Sequence, residues 1–184
     1  MSDARMFLHI CCAPDATIPW PELIGEGFET VGYFYGANIH PREEYDLREH
    51  AVETLASHTK ARVIIGPYDP ETWFTAVRGL ENEPERGARC AKCFEIQLFD
   101  AAKRAAEGGF THLCTTLTIS PHKDAKLINE IGARAAAAYG LTWLERIWRK
   151  KDGFKRSVAA SKALGLYRQN YCGCKFSMRD GASH

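Results

Sequence analysis

Apolar residues fall into short runs separated by longer amphipathic stretches, a pattern that alternates strand and helix. Met6–Ile10 reads as a short buried strand. Thr30–Tyr35, rich in β-formers, reads as a second strand closed by Gly36. Arg62–Ile65, stopped by Gly66-Pro67, is a third, Thr111–Thr115 a fourth and Leu141–Leu144 a fifth. Helical patterns lie between them. Pro19–Glu26 predicts a short helix after a Cys-Cys-Ala-Pro-Asp loop. Pro41 opens a strong helix to about His58, with Glu43 and Glu44 in the first turn, where the helix dipole favours acids. Asp69–Gly79 is a short helix with Pro near its start. Cys93–Glu107 places Phe94, Leu98, Ala101, Ala102 and Ala105 at helical spacing, with Cys90 and Cys93 at its opening. Lys123–Tyr139 is an alanine-rich helix ended by Gly140, and Phe154–Leu164 a last helix ended by Gly165. Leu80–Arg89 is polar and has no clear period.

Strand–helix alternation implies a parallel sheet covered on both faces. The expected fold is therefore α/β, a single doubly wound domain with a mostly parallel sheet. A chain of 184 residues suffices for one domain with a real core. Residues 1–178 are expected to form one metalloenzyme domain, and 179–184 a disordered tail. In such sheets ligands bind beyond the carboxyl ends of the strands. The Cys11–Asp15, Asn38–His40 and Thr115–His122 loops fall at that end.

Charge adds an asymmetry. From Arg146 to Arg179 there are ten Lys/Arg against one acid, Asp152, although the formal net charge is only +1. A basic C-terminal third on an acidic body suggests an anion-binding face, with RNA as one candidate and a solvated lysine-rich surface as the plain alternative. No apolar run is long enough to span a bilayer, and the first residues have too short an apolar stretch for a signal peptide. A cytoplasmic protein with no membrane partner is expected, a setting in which clustered cysteines bind metal or do redox work more often than they form disulfides.

Six of the seven cysteines come in three pairs, Cys11–Cys12, Cys90–Cys93 and Cys172–Cys174. The first pair follows the first strand directly, without the glycines of a phosphate loop. Adjacent cysteines on extended backbone point in different directions, so one loop can serve two metal centres, with Asp15 as a harder oxygen ligand. A buried Cys in a tight turn is the plain alternative. Cys-x-x-Cys alone fits zinc, a redox disulfide or a cluster, and Gly173 permits a tight bend between the last two thiols. Six cysteines exceed the four ligands of a closed zinc site, which favours iron–sulfur. Cys114 reads as strand core, and His9 as a satisfied core histidine.

The surrounding polar residues complete the candidate site. Asn38 and His40 follow the second strand and suit substrate or outer-ligand roles, although His40 fits a helix-entry position as well. Thr116, Ser120 and Lys123 stand where hydroxyls meet a helix N-terminus, with ordinary capping by Ser120 as the alternative. Tyr167 and Arg168 bring an aromatic and a cation beside the last pair, as base stacking needs, or as a packed tyrosine explains. Arg149, Lys150, Lys151, Lys155 and Arg156 are candidates to grip phosphates.

The strings LHICCAPDAT (8–17), FYGANIHPREEYDLR (34–48), GARCAKC (87–93), TTLTISPHK (115–123), DGFKRS (152–157) and GLYRQNYCGCKFS (165–177) resemble the cobalamin-independent epoxyqueuosine reductases of the QueH type. The resemblance runs in order over nearly the whole chain. It implies a fold like the adenine-nucleotide α-hydrolases (HUP, Rossmann-like) and a 4Fe–4S cluster with an adjacent mononuclear iron. The implied reaction is two-electron deoxygenation of epoxyqueuosine in tRNA, with an external electron donor. The implied ligands are Cys11, Cys12, Asp15, Cys90, Cys93, Cys172 and Cys174. The sequence does not divide these ligands between the two groups; our own division gives the cluster Cys90, Cys93, Cys172 and one sulfur of the first pair, and gives the lone iron the other sulfur, Asp15 and Cys174. Asp15, His40 and Tyr167 are the expected catalytic groups, with His122 a further proton source. Asn38, Thr116, Ser120, Lys123, Arg156 and Arg168 are the expected substrate contacts. Two positions depart from the family pattern: Gly36-Ala37 stands where Asn-Pro is common, and Gln97 where an Arg is common. Two rival readings are an iron–sulfur enzyme that transfers or removes sulfur in tRNA, and a zinc-stabilised RNA-binding module without catalysis.

Overall fold

The computed structural model describes residues 4–178, so the expected tail at 179–184 lies outside the described residues. Five strands form one all-parallel sheet: β1 (Arg5–Ile10), β2 (Glu29–Phe34), β3 (Val63–Ile65), β4 (His112–Thr115) and β5 (Thr142–Trp143). Their order is β3-β2-β1-β4-β5. The chain thus winds outward from β1 to β3, returns to β1's other side, and winds outward again. This is the doubly wound arrangement that strand–helix alternation implies. β5 is shorter than the sequence suggests, since only Thr142 and Trp143 find ladder partners, His112 and Leu113.

Side chains alternate between the two faces of the sheet. Phe7, Tyr33 and Leu113 point into one core, which α4 (Pro70–Ala76), α5 (Ala88–Glu107) and α6 (Ala125–Ala138) cover. Leu8, Ile10 and Phe34 point into the other, under α2 (Pro19–Gly25) and α3 (Arg42–Thr59). Burying side chains such as Phe7, Leu8 and Ile10 stabilises the fold by about 1.5–3 kcal/mol each. Gly32 has a packing reason: a Cβ there would stand 2.7 Å from the Trp20 ring that lies on the strand. Two further helices matter for the site. A single turn, α1 (Ala13–Ala16), begins directly after Cys12, and α7 (Gly153–Ala163) packs against it. Among the described residues no helix is long and apolar enough to cross a membrane.

Acids cap the helices that border the site. Asp69 accepts the Thr72 N–H at the start of α4, and Asp124 accepts those of Lys126 and Leu127 at the start of α6. The polar segment before α5 also has an anchor. Arg89, 2% exposed, reaches back to the carbonyls of Leu80 and Glu81 and lies over the Phe176 ring. That segment is ordered by a buried guanidinium, which explains why it carries no hydrophobic period of its own.

Candidate metal centre

The point where the winding reverses lies between β1 and β4, and the first cysteine pair stands there. Cys11 follows the last residue of β1, and its N–H and sulfur both meet the Thr116 hydroxyl just past β4, at 3.4 and 3.5 Å. Cys12 is extended, with φ −164° and ψ 158°, and leads into α1, whose first turn carries Asp15. The two sulfurs are 4.0 Å apart, and the Cys11 thiol donates to Asp15 Oδ2 at 3.3 Å. One ligand atom from each of these three residues lies within 4.8 Å of the other two. Ligands about 2.3 Å from a shared ion must stand this close together. Among the described residues this is the one His/Cys/Asp/Glu group of that tightness.

The other two pairs line the same cavity, one from α5 and one from the 172–174 loop. Cys90 and Cys93 lie in the first two turns of α5, with the Arg86 N–H donating to Cys90 Sγ at 3.3 Å. Cys93 Sγ accepts two bonds, from Trp73 Nε1 at 3.2 Å and from Gln97 Nε2 at 3.0 Å. The Cys172–Cys174 loop is tied to α3. Arg48 donates to the carbonyls of Cys172 and Tyr171 at 2.8 and 3.1 Å, and its guanidinium also pairs with Glu44 at 2.7 Å. Ser177 closes the turn by donating to the Cys174 carbonyl. All six sulfurs and Asp15 line one cavity of about 630 Å³.

The cavity's electrostatics suit soft cations. Several neutral thiols facing one another resist ionisation. The hydrogen bond with Cys12 and then burial push Cys11 well above its usual value, and burial raises Cys90 and Cys93. Yet N–H donors are aimed at the sulfurs of Cys90, Cys93 and Cys12, the last from Gln169 Nε2 at 2.9 Å. A neutral thiol is a weak acceptor, whereas a metal-bound thiolate is a strong one. Donors on sulfur, six thiols and one carboxylate are the chemistry of a metal site, so these residues fit one. Lys123 faces the same group. Burial works against its ammonium, but Cys172, Cys11, Asp15 and Cys12 raise its pKa well above the ordinary lysine value.

The other anticipated residues divide into two groups. Asn38, Ser120, Lys123 and Arg168 line the cavity. Thr116 is buried behind Cys11 and supports it. His40, Tyr167 and Arg156 are not part of the wall. The His40 ring stacks on Phe74, its Nδ1 accepts the Lys175 N–H, and burial lowers its pKa to about 4. The Tyr167 hydroxyl donates to Glu44 at 2.6 Å, and Arg156 pairs with Glu22 at the surface. Among the wall residues without a site role in the sequence expectations are Arg48, Trp73, Arg86 and Gln169. Glu44 and Arg48 at i and i+4 are a readable pair, but such pairs are usually solvent-exposed, and here both side chains are 2% exposed.

The chain is similar to known proteins over almost its full length. The family described as epoxyqueuosine reductase QueH matches residues 6–180. The epoxyqueuosine reductase QueH of Histophilus somni is 38% identical over 177 residues, covering 96% of this chain and 73% of its own length. That of Thermotoga maritima is 36% identical over 176 residues, covering 94% and 90%. That of Streptococcus pyogenes is 35% identical over 180 residues, covering 95% and 70%. The chain belongs to the QueH family of epoxyqueuosine reductases.

Proposed function

We propose that this protein removes the epoxide oxygen of epoxyqueuosine in tRNA, taking up two electrons and two protons and releasing queuosine and water. The observation that carries this reading is the convergence of six thiols and Asp15 on one cavity at the sheet's switch point. Cys90, Cys93, Cys172 and Cys174 are assigned to a 4Fe–4S cluster, and Cys11, Cys12 and Asp15 to a mononuclear iron. This differs from the division given above, because Cys11, Cys12 and Asp15 sit as tightly as ligands of one ion must, and Cys174 lies on a different loop. When bound, the pair of groups supplies single electrons from an external donor and a Lewis acid for the departing oxygen.

The chain's own residues do the rest. Lys123 holds a fixed positive charge against the ligand set and offsets its anionic charge. Phe94, Leu117 and Leu127 give the cavity an apolar wall that limits water. Asn38 and Arg168 offer polar contacts to the hydroxylated ring and its nucleotide. Of His40, Tyr167 and His122, only His122 lines the cavity, so the proton supplied to the leaving oxygen is assigned to it. Its Nδ1 lies 3.3 Å from Arg86 Nη2. Lys150, Lys151 and Lys155 grip the tRNA backbone. Reduced thiols in this number suit a cytoplasmic enzyme.

The test is anaerobic incubation of iron- and sulfide-loaded protein with a chemical reductant and epoxyqueuosine-containing tRNA. Nucleoside mass spectrometry should show the epoxide converted to queuosine. Unchanged epoxide from fully loaded protein refutes the reading, and new sulfur in the RNA points to the sulfur-transfer rival instead.

A further inference from the structure

Gln97 is 2% exposed and lies one helical turn after Cys93 on α5. Its Nε2 donates to Cys93 Sγ, while its Oε1 is buried without a hydrogen-bond partner. A second buried atom without a partner is His9 Nε2, on the face of β1 that α5 covers, and the Gln97 side chain is among the groups that act on the His9 ring. The other side of the His9 ring is fixed. Thr115 Oγ1 accepts the Leu117 N–H at 3.2 Å and stands 2.9 Å from His9 Nδ1, the nearest ring atom to which its own proton can be given. With the hydroxyl donating, the imidazole proton sits on Nε2, on the side of Gln97.

That order fixes the sense of the amide. With Oε1 on the side of His9 Nε2–H, an acceptor and a donor that lack other partners have complementary roles, and the NH2 group is turned to the sulfur. Rotated by half a turn, the amide would set N–H against N–H at His9 and oxygen against a thiolate at Cys93, two repulsive contacts in a dry site. Trp73, fully buried, supplies a second N–H to the same sulfur from α4.

We propose that Gln97, oriented by His9, is a positioning residue that presents an N–H donor to the Cys93 sulfur and, together with Trp73, raises the reduction potential of the iron–sulfur group Cys93 helps to hold. The proposal rests on the cofactor assignment above. The physical cause is charge. Reduction adds negative charge to the ligand sulfurs, and an N–H donor stabilises that charge more in the reduced than in the oxidised state. His9 acts only through the amide and touches no reacting atom.

The test is a spectroscopic redox titration of anaerobically loaded protein, with iron and sulfide content matched to wild type. Gln97→Met keeps the length of the side chain and removes the donor, and Trp73→Phe removes the other. Each should move the midpoint potential to more negative values, and the double variant further than either. His9→Phe should move it in the same direction, yet add nothing to Gln97→Met. Where His9→Phe fails to fold, Thr115→Val tests the same link by removing the hydroxyl that fixes the ring's proton. An unchanged potential in loaded Gln97→Met overturns the proposal, as does a His9 effect that adds in full to that of Gln97→Met. A wild-type protein that takes up no iron–sulfur group overturns the cofactor assignment and this proposal with it. A normal chromophore with an unshifted variant overturns this proposal alone.

Discussion

Arg48 crowds the position where Gly173 would carry a side chain. A Cβ on Gly173 would stand 3.0 Å from Arg48 Nη1, and the backbone there has a φ of +139°, which side chains other than glycine's rarely tolerate. The glycine between the last two cysteines thus lets the guanidinium reach the loop's carbonyls. Gly173→Ala should lower stability by about 1–3 kcal/mol and reduce metal uptake. Urea unfolding and iron content measure the two effects, and a variant that loads and folds like wild type would break the link.

Arg48 and Glu44 form a buried ion pair that also receives the Tyr167 hydroxyl. Arg48→Met should cost about 3–5 kcal/mol, because it leaves a buried carboxylate unpaired. Glu44→Gln with Arg48→Met should restore part of that loss, and Tyr167→Phe alone should cost about 1.5–3 kcal/mol as a bond to a charged group. Denaturant melts of the single and double variants give the comparison.

The metal division makes a stoichiometric prediction. Asp15→Asn and Cys12→Ser should lower iron while leaving acid-labile sulfide near the wild-type value. Cys93→Ser and Cys174→Ser should lower both together. Parallel loss of iron and sulfide in the Asp15 variant would contradict the assignment.

Strand alternation, the parallel sheet and all three cysteine pairs were legible in the sequence, because period-2 and period-3.6 patterns and local spacing are properties of short segments. What was not legible depends on distant partners. Arg48 and Arg89 look like surface charges until the carbonyls they serve, at 171–172 and 80–81, are brought against them. The grouping of Cys11 and Cys12 with Asp15 depends on a single helical turn after Cys12, a segment too short for any periodicity to reveal. His40 and Tyr167 are candidate proton sources on the sequence alone, and only the fold shows the one stacked on Phe74 and the other bonded to Glu44.

The basic C-terminal segment is not uniform. Arg149 donates to the carbonyls of Ser120 and Lys123 at 3.1 and 2.8 Å, so it shapes the loop that carries Lys123. Arg149→Ala should therefore lower turnover even at low salt. Lys151→Ala and Lys155→Ala should instead weaken tRNA binding and flatten its log–log salt dependence by about 1 each. Binding isotherms across a salt series separate the two classes.

His40 carries a pH signature. Burial first, and the Lys175 charge with it, hold its folded pKa down at about 4. The unfolded chain, with an ordinary imidazole, binds the proton first as pH falls. Stability is therefore complete above about 6.5 and declines from there toward about 4. His40→Gln should flatten this part of a stability–pH curve measured by denaturant melts, and an unaltered slope would remove His40 as its source.

The doubly wound order has a consequence for biosynthesis. Cys11 and Cys12 leave the ribosome on the first strand, but the loop carrying Cys172 and Cys174 comes only after all five strands are made. No nascent fragment short of that loop holds all six thiols. If these thiols hold the proposed cofactor, its loading waits for that loop to dock on Arg48, so the finished fold, rather than the growing chain, receives it.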